Sequence, residues 1–200
     1  MKSPTETEVK LRISDRTDAR RRIEDSGFTV SAPRLFESNT VYDTADLTLR
    51  RHEMILRLRD AGDSRVITWK GPYQSGPYKS RAELETTLGS VETMHQILAQ
   101  LGYRPSFRYE KYRTEFSAPA APGVVTLDET PIGDFLELEG PGAWIDETAL
   151  RLGFSRNDYI LESYGRLYVA DCKRRGVEPA DMVFASNASE TRRESGPNTQ

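Results

Sequence analysis

Charged residues recur at every second position in several separate stretches of this chain. Glu6, Glu8 and Lys10 alternate, and so do Arg57 and Arg59, Arg81, Glu83 and Glu85, Lys111 and Arg113, and Glu137 and Glu139. Side chains of a β-strand alternate between two faces, so each set points to one side. The intervening residues are mostly apolar: Val9, Leu56, Leu58, Leu84, Tyr112, Leu136 and Leu138. Both faces of these strands are therefore committed, one to apolar packing and one to charge. A sheet with its charged face turned inward and closed on itself would form a polar tunnel. Mixed acids and bases in such a tunnel suit a polyanion held together with metal ions.

The strands are expected at residues 5–13, 39–43, 54–59, 65–70, 79–87, 107–116, 124–128 and 135–139, with Val30 to Glu37 irregular. Short turns between consecutive strands imply antiparallel pairing. Eight strands close into a barrel whose interior accommodates side chains or one small ligand, and closure removes exposed edges. Helices are expected at about 16–26 after a Ser14 or Asp15 cap, at 90–101 after Ser90, and at 144–152. A last helix is expected from an Asn157 or Asp158 cap to about Arg175, with Gly176 beyond it. These helices would cover the apolar outer face of the barrel. The prolines and glycines of residues 72–78 read as a mobile loop. The predicted class is α+β: an eight-stranded antiparallel closed barrel flanked by helices. Residues 1–176 form one domain, and 177–200 form a tail that reads as disordered from about residue 185, with Met182, Val183 and Phe184 able to dock before it.

Thirty per cent of residues are charged, yet the formal net charge is only −3, so the charges are mixed in sign. That argues against a protein that binds DNA through a broad basic surface. One cysteine, Cys172, excludes an internal disulfide and a cysteine-based zinc site, and reads as a buried small residue. No apolar run approaches the length of a membrane span. The sequence reads as a soluble, cytoplasmic monomer or homodimer.

Each Glu-x-Glu pair places two carboxylates on one face of a strand. Oxygen donors of this kind suit Mg²⁺ or Mn²⁺, with Glu6, Glu8, Glu137 and Glu139 as candidate ligands and Asp128 on the adjacent strand. Taken alone, one such pair reads first as a solvated strand face. Lys10, Arg57, Arg59, Lys70, Lys111 and Arg113 come from several strands, and bases of this kind bind phosphates. An uncompensated buried ion costs several kcal/mol, so an inward lining of this sort must be paired, hydrated or filled by a ligand. Arg20, Arg21 and Arg22 read as a solvated helix face, and Trp69 as outer packing. Tyr159, Ser163 and Tyr164 lie in a segment that reads as packed helix with access to one tunnel mouth.

Seven ordered motifs resemble those of the CYTH superfamily, the triphosphate tunnel metalloenzymes. Glu6-Thr-Glu-Val-Lys10 resembles its ExExK signature. Leu-Arg57-Leu-Arg59, Thr-Trp-Lys70-Gly-Pro, Arg81-Ala-Glu83-Leu-Glu85, Glu-Lys111-Tyr-Arg113, Leu-Asp128-Glu and Phe-Leu-Glu137-Leu-Glu139 resemble its later motifs. The single domain and the segment Asp158 to Tyr164 look most like the class IV (CyaB-type) adenylate cyclase branch. The resemblance implies a triphosphate such as ATP or polyphosphate as small-molecule partner and Mg²⁺ or Mn²⁺ as cofactor. It implies catalytic roles for Glu6, Glu8, Lys10, Asp128, Glu137 and Glu139. Lys10, Arg57, Arg59, Lys70, Arg81, Glu83, Glu85, Lys111 and Arg113 would form the triphosphate site. Two alternatives stay open: a triphosphatase acting on tripolyphosphate, thiamine triphosphate or a nucleoside triphosphate, and a non-catalytic binding module.

Overall fold

The computed structural model describes residues 5–185. Residues 1–4 and most of the stretch read as a tail, from 186 on, lie outside the described residues. Eight strands form one closed barrel in the order β1-β5-β4-β3-β2-β6-β7-β8, with every neighbouring pair antiparallel. They are β1 (Thr5–Ile13), β2 (Thr29–Asp43), β3 (Ile55–Ala61), β4 (Ser64–Lys70), β5 (Lys79–Thr87), β6 (Arg104–Ser117), β7 (Val124–Thr130) and β8 (Gly133–Glu139). The helices are α1 (Arg16–Asp25), α2 (Thr48–Arg51), α3 (Val91–Gln100), α4 (Gly142–Arg151) and α5 (Tyr164–Arg175).

The apolar core lies outside the barrel. Outward residues Val9, Leu11, Val125, Leu127, Leu136 and Leu138 pack against Ala19 and Ile23 of α1 and Ile145 and Ala149 of α4. On the opposite flank, Leu98 of α3 covers Tyr42 and Leu58. This division leaves the inward faces free to carry charge. Trp69 is on the outer face, as expected, with Leu56 and Leu84 opposite it on the neighbouring strands. Cys172 is fully buried. Arg20, Arg21 and Arg22 pair with Glu24, Asp18 and Asp25 at the surface.

Three elements differ from the sequence expectation. Residues 30–37 are not irregular but form the first half of β2, which pairs with β6 through register shifts between Val30 and Ala32, Ala32 and Leu35, and Val41 and Tyr42. Pro33 cannot donate to a ladder, and bulges are where a strand tolerates such a residue. The last helix begins at Tyr164, capped by Ser163, whereas Asp158 belongs to a separate 3₁₀ turn closed with Ser155. The chain between them is extended because Ile160 exchanges backbone hydrogen bonds with Lys10, at 2.9 and 3.0 Å. Residues 72–78 are tied down: Gln74 N donates to Ser80 O, and Tyr78 Oη donates to Asp146 on α4. The short helix α2 carries no sequence signal of comparable strength. Asp43 holds it by accepting from the backbone N–H groups of Thr44, Leu49 and Arg50.

The packed body also extends past Gly176. Met182 is fully buried, pairs its backbone with β6 and joins Tyr164, Tyr168 and Cys172 in a cluster at one end of the barrel. Met182→Ala is expected to lower the unfolding free energy by about 2–4 kcal/mol, since buried Met-to-Ala changes leave a cavity. Urea denaturation checks this. Among the described residues no helix is long and apolar enough to cross a membrane.

Candidate active site in the barrel lumen

Closure in this strand order places β1 and β2 on opposite sides of the lumen. β1 and its neighbours β8 and β5 present Glu6, Glu8, Glu137, Glu139, Glu83 and Glu85, while β3 and β6, which flank β2, present Arg57, Arg59, Lys111 and Arg113. An acidic wall thus faces a cationic wall. Between them runs a cavity of about 1620 Å³, lined at one end by Met54 and Phe107 and at the other by Glu115 and Gly123.

The acidic wall carries its own ammonium groups. Lys10 sits between Glu8 at 2.9 Å and Glu137 at 3.0 Å. Lys79 also donates to Glu8. Lys70 donates to Glu6 at 2.6 Å and lies 3.1 Å from Glu83. Burial alone would raise the Glu8 carboxyl, but Lys10 and Lys79 outweigh it and hold Glu8 well below the usual carboxylate range. Glu6 moves the other way. Burial first, then the charges of Glu8 and Glu83, push it up to about 7 despite Lys70. Glu8 also lies directly across from Glu139 on β8, two like charges in one cross-strand pair.

The cationic wall is organised by Asp128, which is fully buried. It accepts hydrogen bonds from Lys111 at 2.9 Å, from Arg113 twice at 2.7 Å, and from Tyr164 Oη at 2.8 Å. Arg113 also reaches over β7 to Glu137 on β8. Arg57 donates to Tyr109 Oη at 3.2 Å and Thr68 Oγ1 at 3.1 Å. Arg59 donates to Asn39 Oδ1 at 3.3 Å.

These bonds do not satisfy the lining. Arg57 Nε, Arg81 Nε and Nη1, Asn39 Nδ2, Thr126 Oγ1 and Glu37 Oε2 are buried and make no hydrogen bond. Buried polar groups are almost always hydrogen-bonded, so a cluster of orphans calls for a cause. Nearly all of these atoms are donors, and they belong to side chains on the inward faces of the strands. Arg57 and Arg81 line the lumen, where an oxygen-rich anion would meet their guanidinium groups.

The CYTH domain family model matches residues 4–160. The chain belongs to the CYTH domain family. A Methanocaldococcus jannaschii protein provisionally named an adenylate cyclase is 28% identical to this CYTH protein over 169 residues, spanning 80% of this chain and 95% of its own. A Vibrio parahaemolyticus structure, also provisionally an adenylate cyclase, shares the fold with a TM-score of 0.73 at 20% identity, covering 83% of this chain and 98% of its own. A Hippeastrum protein shares it with a TM-score of 0.58 at 15% identity, covering 87% and 97%; its description combines a provisional adenylyl cyclase name with a dominant triphosphatase activity.

Within this CYTH barrel, Glu6, Glu8, Lys10, Arg57, Arg59, Lys70, Arg81, Glu83, Glu85, Lys111, Arg113, Glu137 and Glu139 all line the one cavity. Asp128 faces it from beneath Lys111 and Arg113, as a counter-ion to these bases. Tyr164 reaches the lumen as well, its ring 5.1 Å from Lys10 Nζ and 5.5 Å from Lys111 Nζ. Tyr159 instead donates to Asp146 outside it. Sequence reasoning missed Lys79, Glu37, Asn39, Tyr109 and Tyr73. Lys79 stands two positions before Arg81, so the same alternation could have found it. Tyr73 lies on the β4–β5 loop, its ring centroid 4.8 Å from the Arg81 guanidinium, and no periodicity marks it.

The raised Glu6 carboxyl makes a pH prediction for the ligand-free protein. Its folded value of about 7 exceeds the ordinary 4.5, so the stability it contributes is present below about pH 4.5 and is lost as pH rises through 7. Glu6→Gln removes that loss. The stability of Glu6→Gln relative to the natural protein is expected to rise by roughly 2 kcal/mol between pH 5 and pH 8, measured by urea unfolding.

Proposed function

We propose that this CYTH protein is a divalent-metal-dependent enzyme acting on a triphosphate, of the class IV adenylate cyclase type that converts ATP to cyclic AMP and pyrophosphate. The observation that carries this reading is the set of orphaned buried donors on an inward lining that already opposes acids to bases. A simple polyanion-binding module needs only the bases, so the acidic wall argues for chemistry.

The donor set fits Mg²⁺ or Mn²⁺. Among the described residues no three carboxylates converge into a ready-made cage. Mg²⁺ does not need one, because it takes one or two carboxylates and completes its shell with water and substrate phosphates. The crowding that raises Glu6, and the facing of Glu8 and Glu139, are what a divalent cation would relieve. Glu6, Glu8, Glu137 and Glu139 are the residues that would hold it, with Lys10, Lys70 and Lys79 giving way. The chemistry it supplies when bound is polarisation of phosphoryl oxygens.

The protein's own side chains do the rest. Arg57, Arg59, Lys111 and Arg113 bind the phosphate chain against the opposite wall, with Arg81 and Lys70 at its side. Asp128 and Tyr164 keep Lys111 and Arg113 fixed, so these donors need no reorganisation as charge develops on the leaving pyrophosphate. In-line attack by the ribose 3′-oxygen on the α-phosphorus then depends on the register of the chain. The mouth lined by Met54, Ile55, Phe107 and Tyr168 offers apolar walls for an organic group, which supports a nucleotide over bare tripolyphosphate.

Hydrolysis of the terminal phosphoryl group is the second reading, supported by the triphosphatase activity ascribed to the Hippeastrum protein. Purified protein incubated with ATP, GTP, thiamine triphosphate and tripolyphosphate, with Mg²⁺ or Mn²⁺, separates the two. Cyclic AMP with pyrophosphate supports the cyclase. Orthophosphate release shifts the assignment to a triphosphatase, and the absence of any product overturns both.

A further inference from the structure

Glu37 is the one carboxylate on β2 in the midst of the cationic wall. Its Cα partner across the ladder to β6 is Lys111, and Arg59 projects beside it from β3. It is almost wholly buried. Its two ion-pair contacts are long: 3.4 Å to Arg59 Nη1 and 3.5 Å to Lys111 Nζ, and Oε2 makes no hydrogen bond. Charge-assisted bonds of this type normally close to about 2.7–2.9 Å. Asp128, serving Lys111 and Arg113 from the neighbouring strand β7, has closed to that range. Glu37 therefore contributes negative charge to the cationic wall without saturating the donors.

Four cations facing one lumen repel one another. Arg59 shows the strain: burial and then the nearby Arg57 hold its guanidinium below the usual range. Arg57, Arg59, Lys111 and Arg113 together hold the Glu37 carboxyl down to about 2, against its burial. An incoming phosphate chain would meet these same four cations and would also meet the Glu37 charge.

We propose that Glu37 is a resident counter-anion of the phosphate site: it keeps the cationic wall assembled while the tunnel is empty, and it weakens polyphosphate binding by standing where phosphate charge must come. If the tunnel takes a triphosphate, as proposed above, Glu37 sets how tightly. Two like charges about 6 Å apart at an effective dielectric constant of 20 repel strongly enough to change affinity by tenfold or more.

The test uses the full chain, tripolyphosphate with Mg²⁺ as the probe, and calorimetric titration beside thermal melting at low ionic strength. Glu37→Gln keeps the shape and removes the charge. It is expected to bind tripolyphosphate about tenfold or more tightly than the natural protein, to melt lower when ligand-free, and to show the larger ligand-induced rise in melting temperature. Glu37→Asp keeps the charge and is expected to bind within about threefold of the natural protein, a margin small beside the tenfold steps of the affinity scale. A Glu37→Gln protein that folds only with tripolyphosphate present also supports the proposal. Equal or weaker binding by Glu37→Gln overturns it, as does a protein that misfolds with and without tripolyphosphate, because a packing role alone would do that. If the natural protein fails to bind tripolyphosphate at all, the triphosphate reading itself falls and this inference with it. Binding by the natural protein without the gain in Glu37→Gln removes only the inference.

Discussion

The Asp128→Ala protein is expected to lose about 3–5 kcal/mol of unfolding free energy, the range found when one partner of a buried ion pair is removed. The size follows from what depends on this carboxylate. Lys111 Nζ, the Arg113 guanidinium and the Tyr164 hydroxyl all donate to it, and it has no exposure to water that could substitute. Its loss leaves two cations side by side on β6, with Glu137, which accepts from Arg113, and Glu37, 3.5 Å from Lys111, as the remaining acids. Tyr164 loses its hydroxyl's partner, one of the ties between α5 and the barrel. Tripolyphosphate should restore a large part of the loss, because it supplies anionic oxygens to the same donors. Asp128→Asn retains one acceptor and is expected to lose less. Equilibrium urea unfolding with and without tripolyphosphate reads both effects. A loss below about 1 kcal/mol, the worth of an exposed surface pair, would show that Asp128 is not the centre of the cationic wall.

The parts of this barrel that sequence reasoning found are those where one face is charged and the other apolar without interruption. In β1, β3, β5 and β8 the alternation is unbroken, so the sequence alone points Glu6, Glu8, Arg57, Arg59, Glu83, Glu85, Glu137 and Glu139 to one lumen, which they all line. The first half of β2 is not legible because Pro33 and two register shifts, at Val30/Ala32 and Ala32/Leu35, break the period of two. Glu37 lies in that stretch and is hidden with it, while Asn39 stands in the expected strand but carries no charge to mark it, although both contact Arg59. The start of α5 was misplaced for a different reason. Residues 159–163 look compatible with a helix locally, and only the pairing of Ile160 with Lys10, 150 positions away in sequence, holds them extended. The reach of the chain past Gly176 was legible only as three apolar residues, because the burial of Met182 depends on a pocket formed by β6 and α5. What sequence alone could not supply is the partition of the lining into opposed walls, since that follows from the closed strand order and not from any single motif.

Glu139→Gln and Glu6→Gln are expected to lower kcat/KM by about 10²-fold at limiting Mg²⁺ or Mn²⁺, the scale set by removing one preorganised electrostatic group from an active site. Both substitutions keep the shape of the side chain and remove one carboxylate charge from the acidic wall. Neither should harm folding at pH 8. Glu6 is ionised there against burial and against Glu8 and Glu83, and Lys70 keeps Glu83 as a partner. Glu139 is the Cα partner of Glu8 across the ladder, so its neutralisation leaves one like charge fewer beside Glu8. Glu8→Gln would be a poorer probe, because Lys10 and Lys79 both depend on that carboxylate and stability would fall along with activity. Raising the metal concentration should recover part of the lost turnover in Glu6→Gln and Glu139→Gln, since a weakened metal site fills by mass action. It should recover none in Arg57→Ala, whose defect lies on the opposite wall in the binding of phosphate. Initial rates across a metal titration, with urea unfolding as the control, distinguish these outcomes. Rates equal to those of the natural protein for both glutamine variants at limiting metal would mean that the acidic wall serves the fold alone.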